Sequence, residues 1–445
     1  MNARTLGRAS WVAGSHSACA VAAVILALVA FAGCSKDADE EPPPPIADYR
    51  TYDWVPVSVK DAGDEGFAVL CKISPIERRT GYIQLLAAGG GEGARLDLNV
   101  LPTRIEDIEF LPEDLLYTDF VQRDGTYIIV GTGRQTDLDN RLHLVVQVTD
   151  RNGTSIAEPF RRFLTGGSEI VTNDASDADK DLNGLPRLRA LCDTYGEALV
   201  VAARWETATA AGVRLFRFPL HAGSVPDAWK DIPLDGPADR LLHMACDKTN
   251  GRTIIVTDAD GPASGTKVWG FTPTTNGWDL EGEEGHNLAG EGRIDPQQLS
   301  FAGNRFLMVG NQVVSGTDRI QPFVSRFDHA GAASDAIHPV SGIVSDALPV
   351  ASYCAGTWDS GTHLLAQVHE GSALVPFFDG DITSDLELVD LDGSDNKIGE
   401  PMEIILGQGL RAMGAFDKAG EHIVIGSQHP FLNAGYQHTF YLVLK

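Results

Sequence analysis

Basic residues are scarce in this sequence. The 445 residues include 35 lysines and arginines against 61 aspartates and glutamates, which gives a formal net charge of −26. A nucleic-acid-binding surface needs clustered lysine and arginine, so we expect no nucleic-acid partner. The first interpretation of such a charge is that it keeps a protein soluble, and an affinity for cations or basic partners comes second.

The sequence also lacks the motifs of several large enzyme classes. It has no Gly-Lys dipeptide and therefore no P-loop, no Gly-x-Ser-x-Gly elbow and no His-Glu-x-x-His pair. No Cys-x-x-Cys is present, and the 12 histidines show no metal-type spacing. GQGLRA at 407–412 imitates a dinucleotide fingerprint, but no strand–helix–strand context surrounds it. The sequence therefore assigns no catalytic residue.

The first 33 residues have the pattern of a secretory signal. Arg4 and Arg8 precede an uncharged run, ACAVAAVILALVAFAG at 18–33, which ends in small residues. This run is shorter than the roughly 20 residues that a membrane-spanning helix needs. Cleavage is therefore our first interpretation, and a permanent membrane helix is the alternative.

The motif at the end of the run, FAGC at 31–34, resembles the lipobox of bacterial lipoproteins. It departs from that motif at Phe31, where leucine is usual. The resemblance implies that residues 1–33 are a cleaved lipoprotein signal peptide and that Cys34 is acylated, with palmitate among its acyl chains. The serine that follows Cys34, where retention would need aspartate, implies transport to the outer membrane.

Residues 34–48 form a lipidated N-terminus and a flexible tether in this interpretation. Four consecutive prolines at 42–45 favour an extended, semi-rigid spacer, and the neighbouring acids keep it solvated. Lipid alone would then attach the protein to the membrane, on its periplasmic or its surface side.

A glycine-anchored unit recurs seven times in the remaining body, residues 49–445. Each unit has a glycine whose fourth following residue is apolar: GFAVL (66–70), GTYII (125–129), GEALV (196–200), GRTII (251–255), GNRFL (303–307), GTHLL (361–365) and GEHIV (420–424). A second β-rich run follows each one: GYIQLLA (81–87), LHLVVQV (142–148), VRLFRF (213–218), KVWGFT (267–272), PFVSRF (322–327), ALVPFF (373–378) and TFYLVL (439–444). Such runs, bounded by Gly, Asn and Asp, indicate strands and hairpins.

The length of the unit predicts the architecture. Units of four strands and roughly 40 to 50 residues are typical of propeller blades, and these are slightly longer. We therefore predict an all-β fold, a seven-bladed β-propeller; a β-sandwich or a two-domain β protein is the alternative. The seventh unit ends at 439–444 without an outer strand, so we predict that a segment within 46–59 joins that blade and closes the ring.

An acidic run at 174–184, DASDADKDLNG, is the one candidate metal site. Asp179, Asp181, Asn183 and Gly184 resemble the opening of an EF-hand-like calcium loop, D-x-D-x-N-G, in which alternating oxygens face one side of a tight turn. The candidate calcium ligands are Asp177, Asp179, Asp181 and Asn183. Ala190 stands where such a loop needs a bidentate acid. We expect weak calcium binding, and a solvated loop is the alternative.

Four cysteines remain in the body: Cys71, Cys192, Cys246 and Cys354. An exported protein can form disulfides, but sequence alone does not choose among three full pairings. Cys192 and Cys246 occupy similar places before the glycines of neighbouring units. They therefore form either a disulfide between adjacent blades or two buried free thiols.

Together these features predict a lipid-anchored envelope protein that acts as a binding or scaffold module for a protein or glycan partner. Loops on one face of a rigid scaffold would make the contacts. The alternative is a secreted hydrolase or lyase that acts on polysaccharide at the central channel. The sequence contains no acid pair that supports this chemistry, so a non-enzymatic role is our first expectation.

Overall fold

The computed structural model describes most of the chain beyond the proline run. The described residues are 46–73, 79–135, 141–164, 190–206, 210–219, 226, 228–234, 240–258, 265–275, 277–281, 286–288, 294–302, 305–313, 320–327, 338–339, 351–358, 361–370, 383–392, 397–404, 410–418, 420–428 and 438–444. Cys34, the tether up to residue 45 and the four residues of the acidic run lie outside these ranges. No helix among the described residues is long and apolar enough to span a membrane.

Strands make up nearly all of the described structure. In chain order they are β1 Ile46–Tyr52, β2 Pro56–Asp61, β3 Phe67–Lys72, β4 Thr80–Leu86, β5 Glu92–Asp97, β6 Arg104–Ile105, β7 Ile108–Glu109, β8 Leu115–Arg123, β9 Thr126–Gln135, β10 Arg141–Asp150, β11 Phe160–Phe163, β12 Ala190–Tyr195, β13 Ala198–Glu206, β14 Ala211–Pro219, β15 Ala228–Pro233, β16 Arg240–Cys246, β17 Thr253–Asp258, β18 Thr266–Thr274, β19 Gly277–Leu280, β20 His286–Asn287, β21 Ile294–Ala302, β22 Arg305–Val313, β23 Ile320–Phe327, β24 His338–Pro339, β25 Ala351–Trp358, β26 Gly361–Glu370, β27 Thr383–Leu391, β28 Lys397–Ile404, β29 Leu410–Lys418, β30 Glu421–Gln428 and β31 His438–Leu444. Within the described ranges, helical structure is limited to three 3-10 turns, Gly63–Glu65, Leu98–Val100 and Pro112–Asp114.

The strands pair in chain order within separate antiparallel sheets. The orders are β2–β3–β4–β5, β8–β9–β10–β11, β12–β13–β14–β15, β16–β17–β18–β19, β21–β22–β23–β24, β25–β26–β27–β28 and β29–β30–β31–β1, and β6 pairs with β7 in a small separate hairpin. The first strand of each large sheet contacts the first strand of the next, from β2 through β8, β12, β16, β21, β25 and β29 back to β2. Sheets arranged around a closed ring of inner strands make this an all-β propeller.

The prediction of seven blades needs a correction, because only six of the large sheets are regular four-stranded blades. Six of the sheets have four strands, and the sheet of β16–β19 has five. Residues 271–274 of β18 pair with β19, and Lys267 and Val268 at its other end pair with β20. One strand therefore carries two short outer partners.

The predicted ring closure is confirmed. β1, which lies within 46–59, pairs antiparallel with β31 and is the outermost strand of the last sheet. Tyr49 lies opposite Leu442 in this ladder, and its hydroxyl donates to Gln428 Oε1 on β30 at 2.7 Å. One blade is thus assembled from both ends of the body.

The glycine-anchored stretches supply the second strand of each large sheet. Leu70, Ile129, Val200, Ile255 and Val424, which end five of these stretches, are all 0% exposed. At the first anchor Gly66 has a φ of 104°, and a Cβ there would lie 2.2 Å from the carbonyl oxygen of Leu86. Only glycine fits a left-handed turn that is so close to the neighbouring strand.

Six of the seven predicted partner runs are third strands of their sheets. The exception is ALVPFF at 373–378, which lies outside the described residues; the third strand of that sheet is Thr383–Leu391. Residues 104–120 form β6, β7, one 3-10 turn at Pro112–Asp114 and the start of β8. Pro112 allows one turn at its start and no longer helix.

Candidate functional site

The two edges of the ring differ in the lengths of their connections. Strands alternate in direction within each antiparallel sheet, so first-to-second strand turns share one edge, here called the tight-turn edge. They are short: residues 124–125 join β8 to β9, and 196–197 join β12 to β13. The second-to-third strand and sheet-to-sheet connections start and end at the other edge, here called the long-connection edge. They include 164–189 and 371–382.

Asp119 on β8 joins three consecutive blades near the tight-turn edge. Its carboxylate lies 3.2 Å from Lys60 Nζ and accepts a hydrogen bond from Ser58 Oγ at 3.3 Å, both on β2. On the other side it accepts from the backbone N–H of Cys192 on β12 at 3.0 Å. The Asp119 side chain is only 5% exposed, so these bonds are made away from bulk water.

Asp193 on β12 repeats this arrangement one blade further along. It accepts from the backbone N–H of Cys246 on β16 at 2.9 Å, and Lys248 binds its other oxygen. Between the last and first blades, Lys418 Nζ pairs with Asp61 at 2.7 Å and donates to the carbonyl oxygen of Gly66 at 2.7 Å. Side chains of one blade therefore bind the backbone of the next at several positions around this edge.

Protonation states in this region are stable near neutral pH. Burial has the largest single effect on the pKa of Lys60 and would lower it, but the nearby charges, chiefly those of Asp119 and Asp193, and the hydrogen bond to Asp119 together raise that pKa above the ordinary value. Burial raises the pKa of the Cys192 and Cys246 thiols. Lys60 therefore stays a cation, and the two thiols stay protonated and poorly nucleophilic.

The two cysteines that were candidates for a disulfide are free in the structure. Cys192 and Cys246 are both buried thiols, as is Cys71. Of the two alternatives from the sequence, the structure has the buried thiols. Their backbone N–H groups, bound by Asp119 and Asp193, connect the blades.

The long-connection edge carries two ion pairs in equivalent register positions but with reversed charge. Asp114 precedes β8 and pairs with Arg134 near the end of β9, with Nε and Oδ1 3.4 Å apart. Arg240 begins β16 and pairs with Asp258, which ends β17. Asp114 is buried, and its Oδ2 has no hydrogen-bond partner in the part of the chain that is described.

An aromatic crevice lies between the outer strands of the second and third blades. It has a volume of about 130 Å³ and is lined by Phe160, Arg162, Arg214, Phe216, Pro226 and Trp229. β11 of one blade and β14 and β15 of the next contribute five of these residues. Trp229 leaves 58% of its surface exposed. Of the features described, this crevice combines most clearly an aromatic surface with positive charge.

Sequence reasoning placed its candidates elsewhere. Cys34, Asp177, Asp179, Asp181 and Asn183 lie outside the described residues, and no cluster of three metal-ligating side chains occurs within those residues. Sequence reasoning missed Asp119, although one signal was present: a single acid inside the apolar strand LLYTDFVQR. Charged residues are rarely buried unless they are paired, so such an acid predicts a partner on a neighbouring strand.

The chain matches no known family profile and no curated protein in sequence. Its fold is similar to that of a prolyl endopeptidase, with 11% identity and a TM-score of 0.42 over 87% of this chain; this chain spans about half (48%) of the other one. It is also similar to the polysaccharide lyase Uly1, with 10% identity and a TM-score of 0.36 over 88% of this chain and 90% of the lyase. The WD40 domain of SCAP from fission yeast shares 8% identity and a TM-score of 0.38, over 88% and 82% of the two chains. Similarity at this level carries no information about activity.

Proposed function

We propose that this protein is a lipid-anchored β-propeller of the bacterial cell envelope that acts as a binding or scaffold module for a protein or glycan partner. Acylated Cys34 holds it on the outer membrane, and the proline-rich tether separates the folded body from the lipid surface. The five-stranded sheet counts as a blade in this proposal, which gives seven blades in the ring.

The proposal rests on the carboxylates along the inner strands, whose oxygens already bind other groups of the protein. Asp61, Asp114, Asp119 and Asp193 lie on or beside inner strands, and each is paired with a cation or bound by a backbone N–H group. Polysaccharide hydrolysis needs two carboxyl groups that are free to reach the glycosidic bond. The four acids instead hold neighbouring blades and strands together. This favours the role of a rigid scaffold and disfavours a catalytic role for the central channel.

The acidic run at 174–184 fits this proposal as a secondary feature. It belongs to the connection between β11 and β12, which starts and ends at the long-connection edge. Calcium held by Asp177, Asp179, Asp181 and Asn183 would stabilise that connection when its free concentration exceeds the dissociation constant, about 10⁻⁴–10⁻³ M for extracellular modules.

The proposed function is tested with the acylated full chain in isolated envelopes. Chemical crosslinking should give a discrete complex, or the protein should be retained on immobilised polysaccharide, without shortening any polysaccharide of a panel. Release of reducing ends or of unsaturated sugar would contradict a binding role. If that release were lost in Asp114→Asn, the buried acid beside β8 would be the catalytic group and the enzyme alternative would replace the proposal.

A further inference from the structure

The crevice between the second and third blades has an aromatic floor. The Phe160 ring on β11 lies 6.4 Å from that of Phe216 on β14 and 5.2 Å from that of Phe218, in edge-to-face arrangements. Phe160 and Phe216 are buried. Packed aromatic rings from two blades fix the shape of this floor, so the crevice is a rigid feature of the interface between blades.

Trp229 forms the open wall of the crevice. It lies opposite Phe216 in the ladder between β14 and β15, on the outermost strand of its sheet. More than half of its surface faces solvent. A large planar ring held on a strand loses little conformational entropy when it binds a partner, and exposed tryptophans beside pockets often dominate binding energy.

Two guanidinium groups flank the aromatic surface, and they differ in whether an acidic side chain pairs with them. Arg214 forms a two-pronged pair with Asp231, with Nη2 and Oδ2 2.8 Å apart, so its charge is balanced. Arg162 on β11 is exposed and has no ion-pair or hydrogen-bond partner among the residues that the structure describes. The crevice therefore offers one uncompensated positive charge beside an indole face.

The size of the crevice limits its ligand. A volume of about 130 Å³ is below the roughly 300–1,000 Å³ of pockets that enclose a whole small molecule. One unit of a longer chain fits better, with the rest of the chain on the open surface. The overall charge of −26 does not exclude an acidic unit, because charges more than about 8–10 Å away are largely screened at physiological salt.

We propose that this crevice binds a uronic acid unit of a polysaccharide. The carbon–hydrogen face of the sugar ring packs against Trp229, and the sugar carboxylate pairs with Arg162 through the planar guanidinium fork. The inference rests on the proposed binding function and names the ligand class of one site. It assigns the sugar ring to the exposed indole and the negative charge to the unpaired arginine.

The test compares a glucuronate-containing oligosaccharide with its carboxyl-reduced counterpart, which differs only in the acid group. Calorimetry on the full chain should show binding of the acidic sugar at least about tenfold tighter than the reduced one, because a charged hydrogen bond is lost. Arg162→Gln should remove this preference. Trp229→Ala should weaken binding of both sugars by about tenfold.

Two matched variants control for unspecific effects. Lys230→Gln removes a positive charge next to Trp229 on the same strand but outside the crevice lining, and Ile398→Ala removes another exposed apolar side chain. Both should bind like the wild type. Unchanged thermal midpoints will show that the Arg162 and Trp229 variants are folded, as expected for exposed residues on outer strands.

Several results would overturn the crevice assignment. They are equal affinity for the two sugars, binding of neither, unchanged binding by the Arg162 and Trp229 variants, or equally tight binding of an acidic peptide, which would point to a protein ligand. Failure of the proposed function has a different signature. Shortening of the oligosaccharide contradicts the binding role, whereas an intact but unbound oligosaccharide contradicts only the crevice.

Discussion

At the scale of single residues, bonds from a side chain of one blade to the backbone of the next are the most informative feature. Asp119 accepts a hydrogen bond from the backbone N–H of Cys192, and Asp193 accepts one from the backbone N–H of Cys246. In both cases the cysteine lies on the first strand of the following blade. Such bonds fix the position of an inner strand directly, since a backbone group cannot rotate away. Each of these two carboxylates is therefore a specific connection between blades.

Removal of Asp119 should be strongly destabilising. In Asp119→Ala the Lys60 cation and the N–H of Cys192 lose their partner, and we expect a loss of about 2–4 kcal/mol in the free energy of unfolding. The value is below that for fully buried pairs because Lys60 is about one-third exposed. Urea unfolding at neutral pH measures it. The control Asp48→Ala removes an exposed pair with Arg50 and should leave the midpoint unchanged; equal midpoints in both variants would contradict the role of Asp119.

The buried tyrosines predict alkaline unfolding. Burial raises the pKa of four of them from 10.0 to about 12: Tyr52, Tyr82, Tyr127 and Tyr441. Above pH 10 the unfolded chain loses these protons before the folded chain does, so stability falls between about pH 10 and 12 and is unaffected at lower pH. The raised pKa of Lys60 acts in the same direction, because its pairing is lost as pH rises through that pKa.

Tyrosinate absorbance and circular dichroism together measure this effect. The buried tyrosines should ionise late and in step with the loss of β-sheet signal. Ionisation of all nine tyrosines near pH 10 with the sheet signal intact would show that these side chains are not protected.

At the scale of elements, the sequence predicted strands correctly where an apolar strand pattern followed a glycine turn. The glycine anchors correctly predicted the second strands, because a glycine turn followed by an apolar run is typical of the start of a β-strand. Reasoning failed in the sixth unit, where TSDLELVDL at 383–391 carries acids at several positions and alternates poorly. It also gave no indication of the crevice, since Arg162 and Trp229 come together only when two blades pack.

Deletion of residues 439–445 should abolish cooperative folding. It removes β31, which is the only link between β30 and β1 in the described sheet, and leaves two unpaired strand edges. Thermal unfolding by circular dichroism should become broad or disappear, with increased aggregation. Deletion of residues 35–44 is the control, because it spares β1. A sharp, unshifted transition after the C-terminal deletion would show that the ring does not depend on this closure.

At the scale of the whole molecule, the proposed anchor and the proposed binding site lie in different parts of the chain. The proposed lipid site and tether precede β1, whereas the crevice is built from β11, β14 and β15. No residue is shared between them. Each can therefore be altered without direct change to the other, which makes the two proposals independent in experiment.

Mass spectrometry of the native N-terminus tests the anchor. We expect the first residue to be an acylated Cys34, since the apolar run and the small residues before it match a lipoprotein signal. Cys34→Ala should accumulate as an unprocessed precursor with residues 1–33 attached. An intact Met1 in the wild type, or an unmodified N-terminus at another residue, would contradict lipid anchoring.

Closure of the ring by β1 and β31 also determines when the last blade can form during biosynthesis. β1 is made long before β31, and at about 5–20 residues per second the interval between them is about 20–80 s. Throughout synthesis β1 is a strand edge without its partner, the kind of segment that pairs wrongly with other chains. Its exposed Asp48 and Arg50 reduce that hazard, since charged side chains on an edge oppose intermolecular pairing while the nascent chain waits for its own C-terminal strand.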